Sequence, residues 1–193
     1  MPAHGVIDVW QVHTGPGRDA GHAALRRILC SYVGGDPGGL AFVPGPHGKP
    51  SLPGHDVQFS FSRSGEVALV AVARRMPVGV DVQRVKPGRA TERIARRRFA
   101  RDEAEALAAA APAERDAAFH RCWTGKEAYV KGLGTGLSHG LGGFSVAALL
   151  RNGERCSVGT WEVAQLDAPR GYAAAVAAPG SGWRVKRMAD SHG

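Results

Sequence analysis

The segment around residues 119–131 concentrates residue types able to do chemistry. His120, Thr124, Glu127 and Lys131 follow at intervals of four, three and four residues, which places them on one helix face. Phe119, Trp123 and Val130 form an adjoining apolar stripe. Such a helix can pack its stripe into a core while a carboxylate and an ammonium project side by side. Glu127 could hold a metal or take a proton, and Lys131 could neutralise a phosphate. An ordinary Glu–Lys surface pair four residues apart is the plainer alternative. A second signal is Asp81 in VGVDVQ, residues 78–83, an acid in an otherwise apolar strand. A buried carboxylate needs a partner, and magnesium bound through oxygen is one solution; a turn-forming aspartate at a strand end is the other. Alternation puts Gln83 on the same face, where its amide oxygen could assist without charge.

Two further segments are weaker. In Gly48-Lys49-Pro50 the glycine permits close approach to a ligand and the proline stiffens the backbone. In FSFSRSG, residues 59–65, Ser62, Arg63 and Ser64 sit at a strand-to-turn junction. Hydroxyls, free amides and a guanidinium can together hold a phosphate, although a polar hairpin turn uses the same residues.

These residues must be positioned by a mixed set of elements. Residues 6–12 predict a strand and 19–33 a helix, followed by a Gly/Pro-rich connection from Gly34 to Gly54. Runs at 57–62, 67–73 and 78–82, joined by short links, predict hairpins and an antiparallel sheet. After Val85 the composition turns helical over 91–111; Pro112 interrupts it, and a second helical stretch covers 113–131. The glycines of GLGTG, 132–136, end that helix. Strand-like runs return at 144–149, 160–166, 172–177 and 183–185. The order predicts an α+β protein of two halves joined near residues 83–90.

Composition narrows the class. The chain has 193 residues, 44% of them hydrophobic and 22% charged, which excludes wholesale disorder, a coiled coil and collagen. No run approaches the roughly 18 apolar residues of a membrane span. MPAHGVIDVWQVHTG has no basic region before an apolar stretch, so the expectation is a cytoplasmic protein without a secretory signal. The net charge is +8, with 20 Arg among 25 basic residues, implying an anionic partner: a phosphate-bearing cofactor, an acidic protein or nucleic acid. Biased codon usage in an Ala- and Gly-rich chain accounts for some of that arginine equally well. Cys30, Cys122 and Cys156 are far apart and form no CxxC pair, so neither a zinc knuckle nor a disulfide framework is predicted. GKP and GKE lack the following Ser or Thr of a Walker A loop, and there is no GxGxxG, GxSxG or HExxH.

Taken in order, these motifs resemble the 4'-phosphopantetheinyl transferases, in particular the monomeric type that activates polyketide and nonribosomal peptide synthetases. The family's GKP, Ser-His-Ser turn, G(V/I)D strand and WxxKEAxxK helix appear as Gly48-Lys49-Pro50, Ser62-Arg63-Ser64, Gly79-Val80-Asp81 and Trp123 to Lys131, followed by GTGLS at 134–138. The segments 92–107, 143–146 and 171–178 are similar to the stretches between and after these motifs, and the likeness covers roughly residues 45–180.

The resemblance implies two similar, pseudo-symmetric α+β lobes, here 1–85 and 86–193. Each would be a small, mostly antiparallel sheet packed on helix, with coenzyme A bound between them. It implies transfer of the phosphopantetheine arm from coenzyme A to a serine of an acyl or peptidyl carrier protein, releasing adenosine 3',5'-bisphosphate. Asp81 and Glu127, assisted by Gln83, would hold magnesium, or manganese in its place. Glu127 would deprotonate the carrier serine and Lys131 would contact the pyrophosphate and protonate the leaving oxygen. Lys49 and Pro50 would border the adenine and ribose, Ser62 and Arg63 would touch phosphates, and Arg18 and His22 are candidates for the 3'-phosphate. The expected state is a monomer, with neither membrane nor nucleic acid as partner.

Two positions depart from the family pattern. Arg63 stands where His is usual, and Gln83 where many relatives carry a third carboxylate. A coenzyme A-binding relative with weak or no transfer is therefore the alternative, with a basic nucleic-acid-binding module the third. The basic stretch Arg93, Arg96, Arg97, Arg98 and Arg101 is either a docking face for an acidic carrier protein or a solvated helix face.

Overall fold

The structure, a computed structural model, describes residues 5–15, 18–88, 90–136, 140–151 and 153–188. Strand β1 (Val6–His13) leads into helix α1 (Arg18–Val33). A small hairpin follows, β2 (Val43–Pro44) and β3 (Pro50–Ser51), then β4 (Val57–Ser64), β5 (Val67–Arg74) and β6 (Gly79–Arg84). Helices α2 (Ala90–Arg98), α3 (Arg101–Ala109) and α4 (Pro112–Leu133) come next. The chain closes with β7 (Arg155–Val158), β8 (Trp161–Leu166), β9 (Tyr172–Pro179) and β10 (Arg184–Met188).

Besides the β2-β3 hairpin, two four-stranded sheets form, ordered β10-β1-β5-β4 and β6-β9-β8-β7. Within them β1-β5-β4 and β6-β9-β8 repeat one antiparallel pattern, a first strand followed after helix by a hairpin whose second strand takes the centre. This is the two-lobed α+β arrangement. Each sheet also takes a strand from the other half of the chain: β6 pairs with β9, and β10 runs parallel to β1.

Four layers result, with α1 over the first sheet, the two sheets face to face, and α2–α4 over the second. Alternation on β5 sends Ala68, Val70 and Val72 toward α1 and Val67, Leu69, Ala71 and Ala73 into the core between the sheets. On β9, Ala175 and Ala177 face α4 while Ala174, Val176 and Ala178 face the first sheet. Both central strands are buried on two faces, which is why their sequences run apolar without alternating. Cys122 and Cys156 are buried members of the core under α2–α4, and burial pushes the Cys156 thiol up to about 11. Cys30 is half-buried.

Three expectations are corrected. Short links predict successive hairpins at β4-β5 and β5-β6, but only the first forms. Residues 75–78 instead carry the chain from one sheet to the other. The strand predicted at 144–149 is a short 3-10 turn, Ala147–Leu150. The Val146 amide donates to Glu103 Oε1 at 2.6 Å, so a side chain replaces the ladder. The helical stretch 91–111 divides at Phe99–Ala100, because Phe99 turns inward to stack on Phe119 and Glu103 caps the Ala100 amide. Strand β7, a short edge of four residues, carries too little pattern to be read from sequence.

Helix α4 crosses β6 at glycines. A Cβ on Gly79 would lie 1.9 Å from the Ala128 carbonyl oxygen and 2.3 Å from the Gly132 nitrogen, both rigid backbone. Gly79→Ala is therefore expected to lever α4 off β6 and cost about 2–3 kcal/mol. Urea unfolding with an unchanged midpoint would show that the helix accommodates the methyl. The helix ends at Gly134, whose φ of +70° is the left-handed conformation glycine adopts without strain. Among the described residues no helix is long and apolar enough to cross a membrane.

Candidate functional site

Asp81 lies on the β6 face turned toward α4, where Glu127 and Lys131 sit one turn apart. Its carboxylate is 1% exposed and Lys131 Nζ donates to Oδ1 at 2.7 Å. Ser62 donates to the same oxygen at 2.6 Å and accepts from Lys131 at 2.9 Å. Gln83 Nε2 approaches Asp81 Oδ2 at 3.4 Å, while its oxygen accepts from Ser64 at 3.3 Å. Burial raises the Glu127 carboxyl above its ordinary value. The Asp81 charge raises it further, and the Lys131 ammonium offsets part of the rise. The two acids from different elements therefore feel one another across the β6–α4 contact.

Glu127 and Lys131 line a cavity of about 590 Å³, and Asp81 is buried against Lys131. Helix α1 supplies His22 and Leu25, β4 supplies Phe59 and Phe61, α4 supplies Glu127 and Lys131, and the small hairpin closes it with His47, Lys49 and Pro50. Residues from both lobes thus line a pocket that offers both aromatic and charged side chains. Lys49 donates to the Val78 and Gly132 carbonyls, both at 2.9 Å. It thereby latches the hairpin to the second lobe, and burial lowers its pKa to about 8.

The remaining candidates divide. His22 is on the cavity wall, its ring 5.4 Å from that of Phe61. Arg63 turns to the β1–α1 connection, donating to Thr14 Oγ1 at 3.0 Å and the Gly15 carbonyl at 3.1 Å. Ser62 is buried beside Asp81 rather than on the cavity wall. Arg18 opens α1, and its side chain is outside the described residues, as are Leu137 and Ser138 of GTGLS. Of the α4 face, His120 and Thr124 are buried and bond helix carbonyls, leaving Glu127 and Lys131 to the site.

Sequence reasoning left Lys126 without a role. Both it and Glu103 are 0% exposed and pair at 2.7 Å. Lys126 also donates to the Leu141 and Phe144 carbonyls, so all three of its protons are used. It fastens the segment after α4 against α3, one residue before Glu127. His47, Phe42 and Phe61 were also missed as cavity residues. Their only sequence signal is proximity to GKP and to the serine turn.

The donor set suits a hard divalent cation: two carboxylates held together against their own repulsion, with an amide beside them. Among the described residues no cluster of three or more His, Cys, Asp or Glu that could hold a metal ion occurs.

The sequence model of the 4'-phosphopantetheinyl transferase superfamily matches residues 77–177, from the approach to β6 through most of β9. A 4'-phosphopantetheinyl transferase of Bacillus subtilis is 36% identical over 127 residues, 65% of this chain and 55% of that relative. The 4'-phosphopantetheinyl transferase HetI of Nostoc sp. is 32% identical over 172 residues, 86% of this chain and 72% of its own. The transferase Sfp of Bacillus subtilis is 32% identical over 127 residues, covering 65% and 55%. The chain thus spans little more than half the length of both Bacillus relatives. With the whole stretch from Asp81 to Glu127 inside the matched region, and most of the chain aligned to HetI, this protein belongs to the 4'-phosphopantetheinyl transferase superfamily.

Proposed function

We propose that this protein transfers the 4'-phosphopantetheine arm of coenzyme A to a serine hydroxyl of an acyl or peptidyl carrier protein. It releases adenosine 3',5'-bisphosphate and works as a monomer in the cytoplasm. The observation that carries this reading is that Asp81 of β6 pairs with Lys131 and acts electrostatically on Glu127, the two α4 residues that line the cavity.

Asp81 and Glu127, with the Gln83 amide in reach, supply oxygen ligands for magnesium or manganese. When bound there, such an ion would supply Lewis acidity toward the pyrophosphate of coenzyme A. Glu127, its carboxyl raised above its ordinary value by burial and by Asp81, takes the proton of the carrier serine, directly or through a water. The serine oxygen bonds to the phosphorus bearing the pantetheine arm as the bond to the bridging pyrophosphate oxygen breaks. Lys131 has two protons on Asp81 and Ser62, so its third serves a phosphate oxygen, and it returns a proton to the leaving group. Lys49 and Pro50 hold the hairpin over the nucleotide end. His22 and Arg63, near the start of α1, serve the 3'-phosphate and its neighbours. Arg93, Arg96, Arg97 and Arg98 are exposed on α2, where an acidic carrier would be steered onto the enzyme.

Incubation with coenzyme A, magnesium and an apo carrier should add the mass of one phosphopantetheine arm to the carrier and yield adenosine 3',5'-bisphosphate. Neither product at any enzyme concentration would overturn the reading. Coenzyme A binding without transfer would favour the weakly active relative, to which Gln83 points. For the same reason Gln83→Glu is expected to tighten magnesium binding about tenfold, by restoring a third negative ligand. A magnesium titration of the coenzyme A complex with identical curves would place residue 83 outside the ion's reach.

A further inference from the structure

We infer that Arg26 is a positioning residue for the nucleotide end of coenzyme A, acting through the ring of Phe42 in the cavity wall. The inference rests on the transferase reading above and adds a residue to it. Residues 37–51 supply Phe42, His47, Lys49 and Pro50 to that wall, yet they have little backbone pairing of their own. Their β2-β3 hairpin joins neither four-stranded sheet. Ahead of it lies a single 3-10 turn, Pro37–Gly39, whose Gly39 amide donates to the Asp36 carboxylate at 3.1 Å. Such a segment leaves its carbonyls to be met by side chains.

Arg26 meets them from α1. Its Nη1 donates to the Pro37 carbonyl at 2.7 Å and the Leu40 carbonyl at 3.0 Å. The centre of its guanidinium stands 4.9 Å from the centroid of the Phe42 ring, within cation–π range. Phe42 in turn lies 5.6 Å from Phe59 at an interplanar angle of 53°. Both rings line the cavity, as does Leu25, the α1 residue before Arg26. One side chain thus fixes the backbone two residues ahead of Phe42 and the ring itself. Lys49 holds the later part of the segment to the second lobe, so residues 37–51 are tied to both lobes, and the tie from α1 is the one that sets an aromatic ring.

Adenine is the one flat aromatic group of coenzyme A, and bases stack on aromatic side chains. A Phe42 ring already held in place offers that surface before the ligand arrives, so its ordering does not weaken binding. Without Arg26, Phe42 is a half-buried ring on an irregular segment and is free to take other rotamers.

The test is a double-mutant cycle read with two ligands. Coenzyme A and 3'-dephospho-coenzyme A are titrated by calorimetry in EDTA into wild type, Arg26→Leu, Phe42→Ala and the double variant. Arg26→Leu should weaken both ligands about tenfold, the scale of a lost base stack. In the Phe42→Ala background the same change should weaken them less than about twofold, because the ring it positions is gone. A loss confined to coenzyme A, with 3'-dephospho-coenzyme A unaffected, would make Arg26 a ligand of the 3'-phosphate and overturn the inference. Unchanged affinities for both would leave Arg26 an anchor of the loop alone and overturn it equally. Equal losses in the two backgrounds would show that Arg26 acts without Phe42, with the same consequence. Should Arg26→Leu not fold, Arg26→Lys keeps a donor for the carbonyls without the planar guanidinium, and the same outcomes decide. Wild-type protein that binds neither ligand sinks the transferase reading itself, a result seen before any variant is compared.

Discussion

Glu127→Gln should cut carrier modification by at least about 10³-fold and, in the same variant, raise the melting temperature of the metal-free protein. On the proposed mechanism the first effect follows from losing both an oxygen ligand offered to the metal and the only carboxylate lining the cavity, among the described residues, that could take the serine proton. The second follows from the electrostatics. The Glu127 carboxyl is raised first by burial and then by Asp81, so the folded protein binds its proton more tightly than the unfolded chain. From the ordinary value of 4.5 upward the unfolded chain has released a proton that the folded protein still holds. Stability contributed at this position therefore falls with rising pH through that window. The glutamine variant escapes the fall, so its advantage should be absent near pH 4 and present at pH 7. Melting curves at both pH values, with EDTA, check the sign. A variant less stable than wild type at pH 7 would mean that Lys131 outweighs the repulsion between the acids.

Lys126→Met should be the most damaging single change to stability. It leaves the Glu103 carboxylate, 0% exposed, without its cation, and strands the Leu141 and Phe144 carbonyls. Breaking a buried pair from one side costs about 3–5 kcal/mol, far more than the net worth of the pair. Replacing both members as Lys126→Met with Glu103→Gln should recover part of the loss, because the uncompensated charge is gone. The recovery is incomplete, since Glu103 also accepts from the Ala100 and Val146 amides through different oxygens and glutamine keeps only one acceptor. Urea unfolding of the two single variants and the double variant gives the coupling. Additive effects would show that the two side chains do not act as a pair. Activity should fall with stability, because the anchored segment follows directly from the glycines that line the cavity.

The parts of the site legible in the sequence are those whose signal is local. Glu127 and Lys131 share a helix face at a spacing of four, and Asp81 is conspicuous as an acid in an apolar strand. The cavity residues Lys49 and Pro50 are marked by GKP. The partners of these residues are not legible, because each lies far away in the chain. Ser62 meets Asp81 across 19 residues and Lys131 across 69, and Lys126 reaches Phe144 across 18. A serine in an alternating strand looks the same whether its hydroxyl meets water, a phosphate or another strand's amide. Gly79 likewise reads as a strand residue, and its requirement for no side chain exists only because α4 crosses there.

The sequence by itself determined the inventory of reactive groups, the helices and most strands, and the two-lobed α+β class. Periods of two and 3.6 report which residues each element buries, wherever that element ends up. The tertiary structure alone decided that β6 leaves its neighbour β5 for the second sheet and that β10 returns to the first. It also decided that Ser60, Ser62 and Ser64 of β4 accept from amides of β6 and so join two sheet edges. Strand pairing is a choice among partners with similar apolar faces, settled by the combined packing of four layers. Only that packing brings Asp81 to the turn of α4 that carries Glu127 and Lys131.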